Sequence, residues 1–412
     1  MGVQFKDVEG DSKISFYIVF YFVALIANAT IKTVLPIPDS LWGLISIAWG
    51  VLIVFFLLRC IKIIWRRNRQ IVTISLVLFT TIHLFSFISI MMRGEPSQGF
   101  WKGSVFVNYA YWIPIGLAIA SVKDKKIFFD MFYKWSYAMS ILLFLCVFFR
   151  RTNELMEGET EYNMFFGFQL VIPALFHITQ YYMTKDKKVL AFFIFEVLLL
   201  IIYANRGALI PIVVYFLFRT FLKQNAGSQR GFANVFFIIT MAAIVMIFSG
   251  PIFTALDSFS SALGIRSRTL TMMANGNVMD SSGRDELADI SFAMISERPI
   301  LGWGLGGEFW EIGKRMGVVG VDFSSAAFSP HNGILEMWVC FGVVLGTIAL
   351  LIFIVPMLRI RTIREPYTAM LILILGAAVV APCMISADGL LIKPGAAMYV
   401  YLYYLRNHRI AA

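Results

Sequence analysis

Three side chains of this 412-residue sequence are suited to binding an anion and moving a proton: Arg206, Arg284 and His331. The planar fork of an arginine matches a phosphate bidentately. An imidazole at a bilayer edge titrates near the working pH and can accept a proton. Each of the three sits in a short polar stretch beside an apolar run: Asn205-Arg206-Gly207, Gly283-Arg284-Asp285-Glu286 and Ser329-Pro330-His331-Asn332-Gly333. Ser282 is a candidate N-cap with Asp285 three residues on, and Leu287, Ile290 and Met294 then recur at helical spacing until Pro299. Arg284 thus falls in a first helical turn, where free amides and the helix dipole reinforce its charge and outline an anion site. Plainer readings stand beside these. Arg206 at a helix end can snorkel to the interface, Arg284 can be an ordinary exposed loop arginine, and His331 can be a hydrogen-bonded cap. Gly302, Gly304, Gly306 and Gly307 allow close backbone approach and turns with positive φ. No strand precedes them, so they form no nucleotide-binding fingerprint.

The elements that hold these residues are dictated by composition. Hydrophobic residues make up 59% and charged residues 15% of the chain, and mean hydropathy is +0.77. A soluble domain carries about a quarter charged residues, so this is an all-α, polytopic membrane protein. The net charge of +10 is scattered through short loops and not gathered on one face, which argues against a nucleic-acid partner. Cys60, Cys146, Cys340 and Cys383 all fall in apolar runs, with no metal-ligand spacing and no secreted disulfide framework, and read as packing residues. The first apolar run lacks a small-residue cleavage site and reads as a retained helix.

A spanning helix needs about 20 mainly apolar residues. Runs near 14–31, 41–64, 71–92, 104–121, 128–149, 162–183, 189–204, 207–222, 232–256, 331–355, 367–387 and 390–405 meet that requirement, giving about twelve transmembrane helices in a single domain, 1–412. Lys and Arg concentrate in alternate connections, around 62–69, 123–126, 185–188, 219–230, 359–364 and 406–409, which marks those as cytoplasmic and puts both termini there. The Asn205-Arg206-Gly207 turn, the acidic connection around Glu154 to Glu161, the segment 257–330 and Asp388 then share the outer face. Segment 257–330 is too long for a simple connector and is expected to be a large outer loop carrying short helices, with the helix after Ser282 lying at the interface.

Other intramembrane polar groups read as structural. Asp130 and Lys134, one turn apart, are expected to pair. His177 and Glu196 lie equally far from the turn that joins their helices, so a buried pair at one depth is expected. His83 reads as a satisfied buried group. The sequence has no Asp-x-Asp, His-Glu-x-x-His, P-loop or Gly-x-Ser-x-Gly pattern. Asp280, Asp285, Glu286 and Asp289 in the outer loop leave a metal possible without supporting one, so any phosphate handled here falls to the arginines.

Three stretches in fixed order carry a resemblance: Tyr-Ala-Asn-Arg-Gly-Ala-Leu at 203–209, Ser-Gly-Arg-Asp-Glu-Leu through Arg-Pro-Ile-Leu-Gly-Trp-Gly at 282–304, and Ser-Pro-His-Asn-Gly-Ile-Leu-Glu at 329–336. Together with the helix layout they resemble the bacterial O-antigen ligase and polysaccharide repeat-unit polymerase superfamily. The resemblance implies an inverting glycosyltransferase of the bacterial inner membrane. Such an enzyme transfers glycan from an undecaprenyl-diphosphate-linked oligosaccharide donor to a glycan or lipid-carried acceptor at the outer face, without cofactor or required metal. It implies that Arg206 and Arg284 bind the donor diphosphate as leaving group and that His331 acts as base on, or orients, the acceptor hydroxyl. Arg266 and Arg268 would extend the basic surface toward the diphosphate or membrane lipid head groups. Asn205, Asn332 and Asp388 are further candidates for support, Asp388 by a loose match to an acidic residue of related enzymes.

The polymerase, joining one lipid-linked repeat unit to another, is the reading the motif pattern leans toward. A ligase delivering glycan to lipid A-core is the alternative, and a chain-length regulator and a flippase are expected partners of either. A lipid-linked glycan flippase or exporter is a different class, but such transporters place their site near the midplane between pseudo-symmetric halves. Here the polar constellation lies at the outer interface. A scaffold of an envelope-synthesis complex would tolerate loss of both outer arginines.

Overall fold

The computed structural model describes residues 2–35, 38–95, 100–157, 164–203, 206–220, 222, 254, 255, 257, 258, 261, 274, 284–317, 329–385 and 389–405. Ser282, the acidic connection beyond 157 and, apart from 254 and 255, the expected span 232–256 lie outside them. The described residues are helical, with no strand among them. Five of their helical segments are long and apolar enough to cross a membrane: Val8–Val34, Ser40–Met92, Phe100–Ser121, Gly333–Leu358 and Pro366–Met384.

The chain divides into two compact units. The first comprises Met1–Lys62, Val122–Asp280 and Ile360–Ala378. Its helices are α1 (Gly2–Val34), the start of α2 (Asp39–Met92), α4 (Lys125–Glu157), α5 (Met164–Thr184), α6 (Lys187–Tyr203), α7 (Ile210–Arg219) and α11 (Pro366–Leu375). In this unit α1 packs along α4, α4 on α5 and α5 on α6, while α11 meets α4, α5 and α7. Phe132 and Phe176 stack with ring centroids 4.2 Å apart at the α4–α5 contact. The Thr30 hydroxyl reaches from α1 to the Leu142 carbonyl at 3.1 Å. Asp11 accepts from the amides of Lys123 and Asp124, both at 2.9 Å, and so ties α1 to the turn before α4. The expected Asp130–Lys134 pair does not form: Asp130 pairs with Lys126 at 3.0 Å. A lysine stands one turn to either side of the carboxylate, and spacing alone does not choose between them; the bond forms toward the helix start, the polar end of α4.

The second unit comprises Ile63–Ser121, Ser281–Arg359 and Val379–Ala412. It holds the rest of α2, two π-helical turns (Phe100–Phe106 and Asn108–Trp112) leading into α3 (Ile113–Ser121), then α8 (Arg284–Glu297), α9 (Gly307–Arg315), α10 (Gly333–Leu358), α12 (Ala381–Ile385) and α13 (Pro394–Tyr404). At 54 residues α2 would be about 80 Å long if straight, far more than a hydrocarbon core of about 30 Å. It breaks at Asn68, whose φ of −142° and ψ of 36° are non-helical. Arg67 donates to the Ser121 carbonyl at 2.7 Å and Asn68 to the Ser121 hydroxyl, pinning the bend. The helices expected at 41–64 and 71–92 are therefore both present within α2, meeting at the kink at Asn68. Only 6% of an apolar 18-residue stretch within Ser40–Met92 is buried, and Leu44, Ile47, Val51, Ile74 and Val77 are more than half exposed. So large an apolar surface suits lipid as its solvent. The described residues thus form an integral membrane protein.

Helix α8 (Arg284–Glu297) buries Leu287 and Met294, as the sequence spacing predicts, and Ile295 besides, while Ile290 is only partly buried. The helix packs against α9 and α10, where Leu287, Met294, Ile295, Trp303, Phe309, Ile312, Leu335 and Val339 form one cluster.

Helix α10 is interrupted at Gly342, where φ is 73° and ψ 172°. The backbone groups freed by this break are taken up by the loop after α8. Trp303 N–H donates to the Val339 carbonyl at 2.8 Å, Gly304 N–H to the Cys340 carbonyl at 2.9 Å, and Val343 N–H to the Pro299 carbonyl at 2.7 Å. Orphaned backbone groups at membrane depth cost several kcal/mol each, so the loop completes the helix. The fit requires glycine on both sides: a Cβ on Gly302 would lie 2.5 Å from the Val339 carbonyl oxygen, and one on Gly342 2.3 Å from that of Ile300. Trp303 fixes the loop further. Its indole donates to the Met294 carbonyl at 3.0 Å, and the guanidinium groups of Arg298, Arg93 and Arg315 stand 4.5, 5.3 and 5.6 Å from its ring.

Candidate functional site

The glycine loop also lines a cavity. Gly306, in the left-handed region at φ 79°, turns the chain into α9 and approaches Phe100 so closely that a Cβ would lie 2.9 Å from its Cα. Beyond this turn opens a cavity of about 270 Å³, held within the second unit. Its polar lining is Lys102, Ser104, Asn108, Glu308, Ser329 and Glu336, and Phe309 supplies an apolar wall.

Each polar group is held by the fold around it. His83 on α2 fixes one wall. Its Nδ1–H donates to the Phe79 carbonyl at 2.7 Å, so its Nε2 accepts from the Ser104 hydroxyl at 3.2 Å and the Asn108 amide at 3.3 Å. His83 is thus the satisfied buried group its position suggests, and the two residues it anchors face the cavity. Asn108 Nδ2 also donates to the Ser104 carbonyl at 2.9 Å, while its Oδ1 has no hydrogen-bond partner among the described residues. Glu336, in the first turn of α10, accepts from the Gly389 amide at 2.9 Å.

Glu308, in the first turn of α9, is only 3% exposed. Burial pushes its carboxyl up to about 7; its own backbone amide, the Cys340 thiol, the Gly306 amide and the Arg93 charge pull the other way. Its Oε2 has no hydrogen-bond partner among the described residues. Cys340, like the other cysteines, is a free buried thiol.

The anticipated site residues distribute as follows. His331 is half-buried and holds φ of 50°, a left-handed backbone uncommon outside glycine, and its N–H donates to the cavity-lining Ser329 hydroxyl at 3.4 Å. Asn332 is the N-cap of α10, its Oδ1 accepting from Ile334 N at 2.9 Å and Leu335 N at 3.2 Å. Arg284 is the first residue of α8 and exposed. Arg206 opens a 3₁₀ turn, Arg206–Ala208, between α6 and α7 in the first unit. Asn205, Arg266, Arg268 and Asp388 lie outside the described residues. No group of three or more His, Cys, Asp or Glu side chains arranged to hold a metal occurs among the described residues.

The carboxylates of the cavity are not among the residues that motif reading selected. Glu336 closes the quoted 329–336 stretch without an assigned role. Glu308 had one available signal: an acidic residue set between a glycine run and Phe309-Trp310, where a charge has little water to face.

These features define an integral membrane protein with a polar cavity beside a break in a membrane helix. Residues 189–350 match the family model described as O-antigen ligase. The matched segment is less than half of the chain, and it contains Arg206, Arg284 and His331. No curated protein and no solved structure matches the chain.

Proposed function

We propose that the protein is a polysaccharide polymerase, transferring glycan from an undecaprenyl diphosphate carrier to the acceptor sugar hydroxyl of another lipid-linked repeat unit on the outer face of the membrane. The observation that carries this reading is the O-antigen ligase match over 189–350, which includes both outer arginines and His331 in one segment. In the proposed reaction the acceptor oxygen attacks the anomeric carbon from the face opposite the diphosphate, inverting it. The bond from that carbon to the diphosphate oxygen breaks, and its electron pair leaves with the diphosphate. Arg206 and Arg284 stabilise the charge that accumulates there, an interaction stronger in the transition state than in the ground state. His331 receives the acceptor's proton. Its place beside Ser329, at the wall of the polar cavity, supports that role. Arg266, Arg268 and Asp388 belong to the same proposal as contributors around the diphosphate, with Asn205 supporting the Arg206 turn. The membrane orientation, with both termini cytoplasmic, follows from the distribution of Lys and Arg in the connections.

The same match is equally compatible with a second reading, ligation to a lipid A-core acceptor. One experiment separates the two. The reconstituted full-length protein is given only its own undecaprenyl-diphosphate repeat unit, with EDTA, and the glycans are resolved on a gel. A ladder that disappears in His331→Ala supports a metal-independent polymerase. No ladder, followed by transfer when lipid A-core is added, replaces it with the ligase; no transfer in either tube removes the transferase reading.

A further inference from the structure

Two residues that line the cavity each carry a buried oxygen with no hydrogen-bond partner among the described residues. Glu308 Oε2 and Asn108 Oδ1 belong to side chains 3% and 1% exposed, and neither atom has a partner among the described residues. Buried polar atoms in this state are uncommon, because each forgoes the hydrogen bonds that water would give it. They come from segments 200 positions apart in sequence and are held rigidly, Asn108 by His83 and Ser104, Glu308 by the turn at Gly306. The cavity therefore asks for a ligand rich in O–H donors. A phosphate does not answer, since it brings further acceptors to a wall already formed by two carboxylates, Glu308 and Glu336. Lys102 is the one cationic side chain in the lining. A volume of about 270 Å³ lies just below the range of small-molecule sites, about 300 to 1,000 Å³, and suits one ring better than an oligosaccharide. Phe309 offers an apolar face for the C–H side of such a ring.

We propose that this cavity is the subsite for the acceptor sugar ring, whose hydroxyl groups donate to Glu308 Oε2 and Asn108 Oδ1. The inference rests on the transferase reading for the word acceptor. Ser329 lines the cavity and accepts from the backbone of His331, so a ring held here lies next to the residue assigned to take up the hydroxyl proton. Glu308 and Asn108 bind and orient in this scheme; the bond changes belong to the reaction described above.

The test measures binding without turnover. Saturation-transfer NMR is recorded on the full-length protein in detergent, with the monosaccharides released by acid hydrolysis of the polysaccharide made by the source cells. The expected result is saturation of one of those sugars, a dissociation constant weakened tenfold or more in Glu308→Gln, loss of signal in Glu308→Leu, and no competition by inorganic phosphate. Each outcome is read only on variants that retain cooperative thermal unfolding. If Glu308→Leu does not fold, Asn108→Ser reports the second of the two residues and must weaken the same sugar. Saturation of none of the sugars, wild-type binding in the folded variants, or displacement by phosphate overturns the subsite. Sugar binding that depends on Glu308 in a protein that yields no glycan transfer would retain the subsite and remove the transferase reading. A ladder without sugar binding would do the reverse.

Discussion

His177 Nδ1 lies 2.9 and 3.0 Å from the two carboxylate oxygens of Glu196, and the Ser140 hydroxyl donates to the same carboxylate. The three residues come from α5, α6 and α4, and all are fully or almost fully buried. Helices that meet in lipid gain little from apolar contact alone, so this bond set fixes how the three pack. Removing either member of the pair leaves the other polar group stranded, at a cost of about 3 to 5 kcal/mol. We expect His177→Ala and Glu196→Ala each to destabilise the detergent-extracted protein by that order, and the double variant to cost clearly less than their sum. Additive losses in denaturant unfolding would dismiss the coupling.

Glu308 makes stability depend on pH with a definite sign. Its folded-state carboxyl is raised from about 4.5 to about 7, so it binds a proton more tightly folded than unfolded. Its contribution is therefore fully present below about 4.5 and is lost as pH rises through about 7, amounting to roughly 3 kcal/mol at most. Thermal unfolding from pH 4.5 to 8 is expected to show a steeper decline in wild type than in Glu308→Gln. Parallel profiles for the two proteins would contradict the assignment.

The dock between the glycine loop and α10 is expected to be intolerant of a single methyl group. Gly342→Ala and Gly302→Ala both place Cβ inside the van der Waals distance of a backbone oxygen, at positive φ. The left-handed strain alone is about 1 to 2 kcal/mol. Gly43→Ala, where nothing lies within 4 Å of the new Cβ, is the matched control and should leave the melting temperature close to wild type. Equal melting temperatures for all three variants would refute the dock.

Asn332 gives a prediction for the start of α10. Its Oδ1 satisfies two amides of the first turn, and removing such a cap costs about 0.5 to 2 kcal/mol. Asn332→Ala should destabilise by that order and Asn332→Asp by less, because aspartate caps equally well. Indistinguishable unfolding of Ala and Asp variants would show the cap to be unimportant.

How much of this was legible in the sequence varies with the range of the interaction. Leu287 and Met294 reveal α8 because helical spacing is a local signal, and His177 and Glu196 reveal their pairing because one short turn sets their depths. Positive φ at Gly302, Gly304 and Gly306 follows from residue type. The break at Asn68 is legible as the short basic connection around 62–69, although the polar residues alone do not say that the two helices meet there in a kink. The break at Gly342 left no trace, since apolar residues continue on both sides of it. The cavity was hidden for a related reason: Asn108 and Glu308 meet only through the tertiary fold, and no local periodicity records that meeting. Asp130 shows the limit even at close range, since a lysine one turn away on each side leaves the choice to context.

The interruption of α10 also bears on how the protein is made. The loop at 299–304 leaves the ribosome before the segment 339–343 that it completes, so the nascent chain has the missing amide and carbonyl groups in hand when the broken helix reaches the membrane. The earlier segment acts as a template for the later one. Helix α10 is expected to integrate poorly when expressed without residues upstream of 305, and a glycosylation-site mapping assay on such truncated chains would register that dependence as a failure to span.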